Sequence, residues 1–383
     1  MEREERGWSS SDDFVCPDCV ADEYLKAQLA TDAQDEECSF CGQSPAAPFD
    51  TLMEGFMVGV RREYDKTENV LYWADDVTTR YNSSDVVWDF GDVFVGDGLI
   101  EAVLESIDDD EWVPADFAVP HDGDALRVAW DEFSHAVKFE TRYMVWLGDG
   151  NPYAGAGDVP VSKVLQAVAD VVDRLGLVKT YAMNGRWWRA QPHGAAGIDH
   201  TATRLGTVPA SLATQPNRMS PAGIPMFYGA ADPVTAAGEV APPGSGTYVT
   251  WAAFDTSRAT RVVDFTNLPP IPSTFDPENG YEHHVLTFLH TFVKVLSSKA
   301  RPDWEAVDYV PTQVLTEYFL RVHRDPDGPV DGLLYRSAVT GDRCVVLDVL
   351  NDGCVLKGPG FEDPNGPLRL GLVKARVETA FVS

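Results

Sequence analysis

Two sets of residues in this sequence could do chemistry by their type and spacing. Cys16, Cys19, Cys38 and Cys41 form two C-x2-C pairs separated by eighteen residues. Two residues between thiols let one tight turn aim both sulfurs at a single ion. Two such knuckles complete the tetrahedral sulfur site that a zinc ion accepts. Gly42, directly after the second pair, suits the left-handed turn that closes a knuckle. With all four positions filled by protein, the spacing predicts a structural zinc, an iron–sulfur centre or redox pair being the alternative. The second set lies in residues 217–239, NRMSPAGIPMFYGAADPVTAAGE, which place Arg218, Tyr228 and Glu239 around two tight turns. Taken singly, Arg218 reads as a loop arginine and Glu239 as a solvated helical glutamate.

The elements that must position the second set are legible locally. Pro221 to Pro225 forces a compact turn, and Met226–Tyr228 reads as a short strand. Asp232 followed by Pro233 is a helix start, with Asp as N-cap and Pro at the first helical position. That Ala-rich helix carries Glu239 near its end and breaks at Pro242 and Pro243. Further on, helices are expected over 281–298 and 311–323, and strands over 246–254, 261–265, 332–338 and 342–350. In the first half, 125–147 reads as a long helix, with Ala129, Phe133, Ala136, Val137 and Phe139 near helical spacing. Residues 161–176 form an amphipathic helix stopped by Gly176. The Gly- and Pro-rich stretch 148–160 between them reads as a surface connection.

The expected organisation is a disordered tail over 1–13, a zinc-knuckle module over 14–48, a mainly helical domain over 49–180 and a mixed α+β domain over 181–383. A formal charge of −30 argues against nucleic-acid binding, which needs Lys and Arg to displace phosphate counterions, and against anionic membrane. An anionic ligand would have to be held by local arginines against that field. The N-terminus lacks an apolar stretch, and no run reaches the roughly 18 apolar residues of a membrane span, so a cytoplasmic location is expected. Cys344 and Cys354 are left as packed or half-exposed thiols rather than a bridge.

The stretch 217–239, YVPTQ (309–313) and GLLYRSA (332–338) together resemble the RES family, named for an Arg, a Glu and a Ser, whose members destroy NAD. The likeness covers roughly residues 181–352. It matches Arg189 in GRWWRAQPHG, Arg218 in NRMSPAG, Tyr228 in MFYGA, then Glu239 and Ser337, in the family's order. The cysteine quartet and the pattern W-x2-F-x3-VK-x3-RY (130–143) resemble the N-terminal region that precedes some RES and HEPN toxin domains. The resemblance implies an ADP-ribosyltransferase-like α+β fold and NAD as a substrate rather than a recycled cofactor. It implies an enzyme, NAD phosphorylase or NAD glycohydrolase, acting as a toxin or defence effector. Glu239, Arg218 and Tyr228 would then be catalytic, and Arg189, Tyr228 and Ser337 would bind substrate. Inorganic phosphate or water would attack, and the partner would be an antitoxin that restrains the enzyme or one that activates it; oligomeric state stays open. The alternatives are protein ADP-ribosylation, or a non-enzymatic zinc-ribbon interaction protein with an inactive RES domain.

Other candidates carry less. His283, His284 and His290 on the 281–298 helix read as satisfied or surface histidines, and the acidic run 107–112 as a solvated turn. A HEPN nuclease needs an Arg followed by four to six residues and then His; Arg127 and His135 have seven residues between them, which is too many, and Arg186 with His193 falls at the start of the mixed domain. No Walker loop or GxGxxG opens a helix after a strand, so a Rossmann redox enzyme is not supported.

Overall fold

The computed structural model describes residues 6–70, 80–116, 119–147, 155, 157–241 and 244–383. It divides into two compact units. The first comprises Met1–Ala125, Tyr153–Asp158 and Pro270–Thr287; the second comprises Leu126–Pro152, Val159–Pro269 and Phe288–Ser383. Residues 148–154 and 156 of the 148–160 connection lie outside the described residues.

In the first unit, β1 (Phe14–Val15) pairs antiparallel with β2 (Ala47–Pro48), bringing the two cysteine pairs to one end of the helix Phe49–Glu63. That helix buries Phe49, Leu52, Met53, Phe56, Met57 and Val60, one continuous stripe at helical spacing. Each such side chain contributes about 1.5–3 kcal/mol of burial, which the ordering entropy largely offsets. β3 (Tyr64–Lys66), β4 (Tyr81–Asn82) and β5 (Glu111–Pro114) form a small antiparallel sheet in the order β3-β5-β4. Segment 270–287 packs into the same core although it is distant in sequence. Phe275 is 2% exposed and stacks on Phe56 at 5.9 Å. A β-carbon at Gly59 would overlap the Phe275 ring, so this glycine is what lets the segment seat. Arg62 donates to the Thr274 and Asp276 carbonyls beside it. Residues 6–13 depart from the disordered tail expected of a polar, Ser-rich stretch. Trp8 is 2% exposed in this core, and the Ser9 amide donates to the Ser106 carbonyl.

The second unit is built on a nine-stranded mixed sheet, so the chain is α+β as expected. Its strands are β6 (Val178–Tyr181), β7 (Arg186–His193), β8 (Phe227–Ala230), β9 (Thr247–Thr256), β10 (Thr260–Asp264), β11 (Gly332–Arg336), β12 (Arg343–Leu347), β13 (Cys354–Leu356) and β14 (Leu370–Val382). They run β13-β14-β9-β7-β8-β12-β11-β10-β6, with β10–β11 and β13–β14 parallel and the other pairs antiparallel. The central strands are buried on both faces and read as unbroken apolar runs, Leu333–Tyr335 and Cys344–Leu347. One face packs Phe227, Phe254, Val345 and Leu347 into a single cluster. On the helices, Phe292 meets both Phe265 and Trp130 edge-on. Two expected helices end differently from the sequence pattern. The first runs Asp122–Phe139 and stops with Arg142 donating to the Val137 carbonyl, leaving Val145–Leu147 as a separate 3-10 turn. The second runs Val310–Glu317 and widens into a π turn over Tyr318–Val322. The helix expected over 161–176 spans Val164–Arg174, with a 3-10 turn at Val161–Lys163 before it and Gly176 at φ +58° just after it.

Candidate active site

The sheet opens at one place. β7 pairs with β9 along its whole length, Arg186↔Asp255 to His193↔Tyr248, but meets β8 only at Trp188↔Ala230. Beyond that point the strands diverge, and a cavity of about 550 Å³ lies in the gap, a size suited to a cofactor-sized ligand. Arg189 braces the divergence. Its Nη1 donates 2.9 Å to the Tyr228 carbonyl across the gap, and its Nε donates 3.0 Å to the Gly206 carbonyl. Burial lowers its pKa from the usual arginine value. Arg186, three residues earlier, is committed elsewhere. It pairs bidentately with Asp255, at 2.8 and 3.0 Å, where Lys357 also sits at 2.8 Å. Of the two arginines on this strand, Arg189 is therefore the one at the cavity.

Arg218 also lines the cavity, and its charge is unspent. Its Nε and Nη1 are buried and have no hydrogen-bond partner among the described residues. Its guanidinium lies 6.0 Å from the Tyr309 ring and 5.8 Å from the Tyr335 ring, both of which line the cavity too. A buried guanidinium with unmatched donors is costly, and an anion placed there would relieve that cost. The turn that holds it is tied from behind. Thr312 donates to the Arg218 carbonyl, and Gln313 Nε2 donates 2.8 Å to the Asn217 carbonyl. The YVPTQ stretch thus has a physical role: Tyr309 lies under the guanidinium while Thr312 and Gln313 fix its loop. Tyr228 is fixed too, its hydroxyl accepting from the Met219 amide at 3.1 Å and sharing a hydrogen bond with Ser220 Oγ at 2.9 Å. Burial pushes its pKa up to about 12, so it stays neutral.

Glu239 reaches the cavity from the helix Pro233–Val240. The helix start is the one read from sequence: Asp232 caps it by accepting from the Thr235 amide at 2.8 Å, and Pro233 occupies the first position; Pro242 and Pro243, where a break is expected, lie outside the described residues. Ser337 donates its hydroxyl proton to Glu239 Oε1. Ser337 Oγ itself accepts from the Val339 and Thr340 amides at 3.0 and 3.1 Å. The hydroxyl is saturated by protein and only 4% exposed. In the ligand-free chain the hydroxyl expected to bind substrate is thus engaged with the Glu239 carboxylate and two amides. Cys344 lies on the cavity wall, its thiol pushed up to about 12 by burial and then by Glu239, so it is no thiolate nucleophile. Tyr309, Tyr335, Thr312 and Gln313 were not singled out as site residues by sequence, although the motifs containing them were.

The four N-terminal cysteines come together in the first unit, with Sγ atoms all within 4.8 Å of one another. Cys16 lies 3.3 Å from Cys41 and 3.6 Å from Cys19, and Cys19 lies 3.6 Å from Cys38. Sulfurs around a tetrahedral ion with bonds of about 2.3 Å would stand about 3.8 Å apart, so the cluster can hold a metal. Burial pushes the Cys38 thiol up, but amides of Cys16, Phe40 and Cys41 directed at it outweigh this and lower it to about 7. Gly42 sits at φ +73°, the left-handed conformation the knuckle needs. Cys344 and Cys354 are buried free thiols, as expected. His283 and His290 face backbone carbonyls of Pro272 and Pro269 at 2.8 Å, the satisfied histidines that sequence suggested.

Comparison with known proteins gives three findings. No curated protein matches the chain. Among solved structures, a chain of the M. tuberculosis MbcT–MbcA toxin–antitoxin complex is similar at 13% identity. The match covers 56% of this chain and 92% of that one, with a TM-score of 0.27. Family models match residues 31–151 as HEPN/RES N-terminal domain 1 and residues 186–357 as a RES domain. Residues 186–357 are therefore a RES domain, preceded by a HEPN/RES N-terminal domain over residues 31–151.

Proposed function

We propose that the RES domain cleaves the bond between nicotinamide and ribose in NAD. The observation that carries this reading is the buried Arg218 guanidinium with unpartnered donors, in one cavity with the Ser337-oriented carboxylate of Glu239. Arg218 supplies fixed donors for the pyrophosphate, so an anion can bind despite a chain charge of −30. Arg189 shapes the cavity wall and adds positive field. Tyr228 offers a rigid ring against which nicotinamide stacks. As the glycosidic bond breaks, its electron pair leaves with nicotinamide and positive charge builds on the ribose. Glu239, held by Ser337, faces that charge and lowers the barrier more in the transition state than in the ground state. A water or inorganic phosphate oxygen then bonds to the ribose carbon and loses its proton to solvent.

The Cys16, Cys19, Cys38 and Cys41 cluster fits a structural zinc that stabilises the N-terminal unit and takes no part in the reaction. The wider reading is a cytoplasmic toxin or defence effector that depletes NAD and is restrained by an antitoxin. Incubating the full chain with NAD, with and without phosphate, tests the proposal. Nicotinamide plus ADP-ribose marks hydrolysis, and nicotinamide plus ADP-ribose-1''-phosphate marks phosphorolysis. Label retained on protein would mark ADP-ribosylation, and no nicotinamide release would leave a binding module.

A further inference from the structure

The helix Pro233–Val240 meets the turn between β11 and β12 at two points. At one, Glu239 accepts from Ser337. At the other is Thr235, four residues earlier and therefore one helical turn back on the same face. Its hydroxyl stands 3.1 Å from Thr340 Oγ1 and 3.4 Å from Asp342 Oδ2, and the residue is 1% exposed. With Thr340 donating to Thr235 and Thr235 to Asp342, both hydroxyl protons are used, and the Asp342 amide donates 3.2 Å to Thr340 Oγ1. The turn is held by its own bonds. The Ser337 amide donates 2.8 Å to the Asp342 carbonyl, and the Gly341 amide donates 3.0 Å to the Ser337 carbonyl. Arg336 donates to the Gly341 carbonyl at 3.1 Å and to the Thr266 carbonyl at 2.8 Å. Capping does not explain the Thr235 hydroxyl: Asp232 is the cap and takes only the Thr235 amide.

We infer that Thr235 and Thr340 are positioning residues for the Glu239 carboxylate, an inference that rests on the cleavage reading above for its effect on rate. The Ser337 bond alone fixes one oxygen and leaves the helix free to rock or slide about it. A second bond one turn away, about 5.4 Å along the axis, fixes tilt and register together. A carboxylate stabilises developing charge only from a preorganised place, and a displacement of about 1 Å costs up to about 100-fold in rate. The helix needs such an anchor, because its eight residues are too few to hold a helix by themselves. Helix and turn are in direct contact between the two bonds: a β-carbon at Gly238 would stand 3.7 Å from a Val339 methyl and 3.9 Å from a Thr340 methyl. Neither threonine lines the cavity, so both act through Glu239 and leave the Arg218 end untouched.

Thr235→Val and Thr340→Val each delete one hydroxyl at nearly constant volume, and Thr235→Ser and Thr340→Ser keep it. The test measures kcat for nicotinamide release, ADP-ribose affinity, and hydrogen exchange of the Val339 and Thr340 amides, in the full chain well below its melting temperature. Each valine variant is expected to lose about 3–10-fold in kcat with ADP-ribose affinity unchanged, and to exchange the two amides about 3–10-fold faster. The serine variants should keep most of both properties. The two valine changes combined should cost no more than the larger single loss, because they delete the same bond. A purely structural role would lower the melting temperature and leave kcat in place. Unchanged kcat in folded valine variants of an active chain overturns the inference, and so does an equal loss in the serine variants. Should Thr235→Val fail to fold, Thr340→Val, at an exposed position, carries the same readings. Should the natural chain release no nicotinamide, the cleavage reading fails on its own and exchange decides the positioning. Unchanged amide protection in the valine variants then overturns it, and faster exchange restored by serine upholds it.

Discussion

Replacing Arg218 with methionine should move stability and binding in opposite directions. In the ligand-free chain, two buried donors of this side chain lack partners, each costing about 1–3 kcal/mol. The Tyr309 and Tyr335 rings at 6.0 and 5.8 Å return about 0.5–2 kcal/mol each. The balance favours methionine by about 1 kcal/mol, and its thioether keeps contact with both rings. For a unit of this size that raises the melting temperature by about 2–4 °C. Binding loses a charge-assisted hydrogen bond of about 1.5–3 kcal/mol, or about 10–150-fold in affinity. Thermal melts of both chains, and calorimetric titration with ADP-ribose, measure the two effects. ADP-ribose is the right probe because it carries the pyrophosphate and has no nicotinamide bond to cleave. A variant that melts lower and binds ADP-ribose as tightly as the natural chain would refute the reasoning and make Arg218 a structural residue.

Further expectations follow from the same contacts. Ser337→Ala removes the donor to Glu239 and strands the Val339 and Thr340 amides; nicotinamide release should fall about 10–100-fold with little change in ADP-ribose affinity, read from kcat and titration separately. Cys16→Ser should abolish one equivalent of bound zinc and destabilise the N-terminal unit, and retention of that zinc would exclude the sulfur site. Burial pushes the Asp255 carboxyl up, but Arg186 and then Lys357 outweigh it and depress its pKa. This group's stabilisation is therefore complete above the unfolded value of about 4 and is lost as pH falls through the folded value. The stability gap between the natural chain and Asp255→Asn, measured by denaturant titration across pH, should stay constant above pH ~5 and narrow below ~4.

What sequence made legible was local. Asp232 and Pro233 announce their helix because capping depends on neighbours three residues away, and Val164 to Val172 announce theirs by period. The cysteine spacing carries its own geometry in the same way. Contacts across long separations were not legible. Nothing around Ser337 says that its hydroxyl is spent on Glu239 and two amides, because the partners come from a helix 98 residues away and a turn that only the fold shapes. Thr312 and Gln313 look like helical polar residues until the Asn217–Ser220 turn is set against them. Trp8 sits in a polar, Ser-rich stretch, and local composition cannot show that it joins a core shared with Phe49, Phe56 and Ile107. His284 is indistinguishable from His283 by sequence, yet one turns to Glu63 and the other to a backbone carbonyl.

The central claim is that Glu239 promotes cleavage of the nicotinamide bond, and Glu239→Gln tests it with nearly unchanged volume. The measurement is the rate of nicotinamide release from NAD by the full chain and by this variant, after matched melting curves and matched ADP-ribose affinity. The account predicts release by the natural chain and a loss of about 100-fold or more in the variant. Equal rates in the two proteins, or no release by the natural chain, would contradict it.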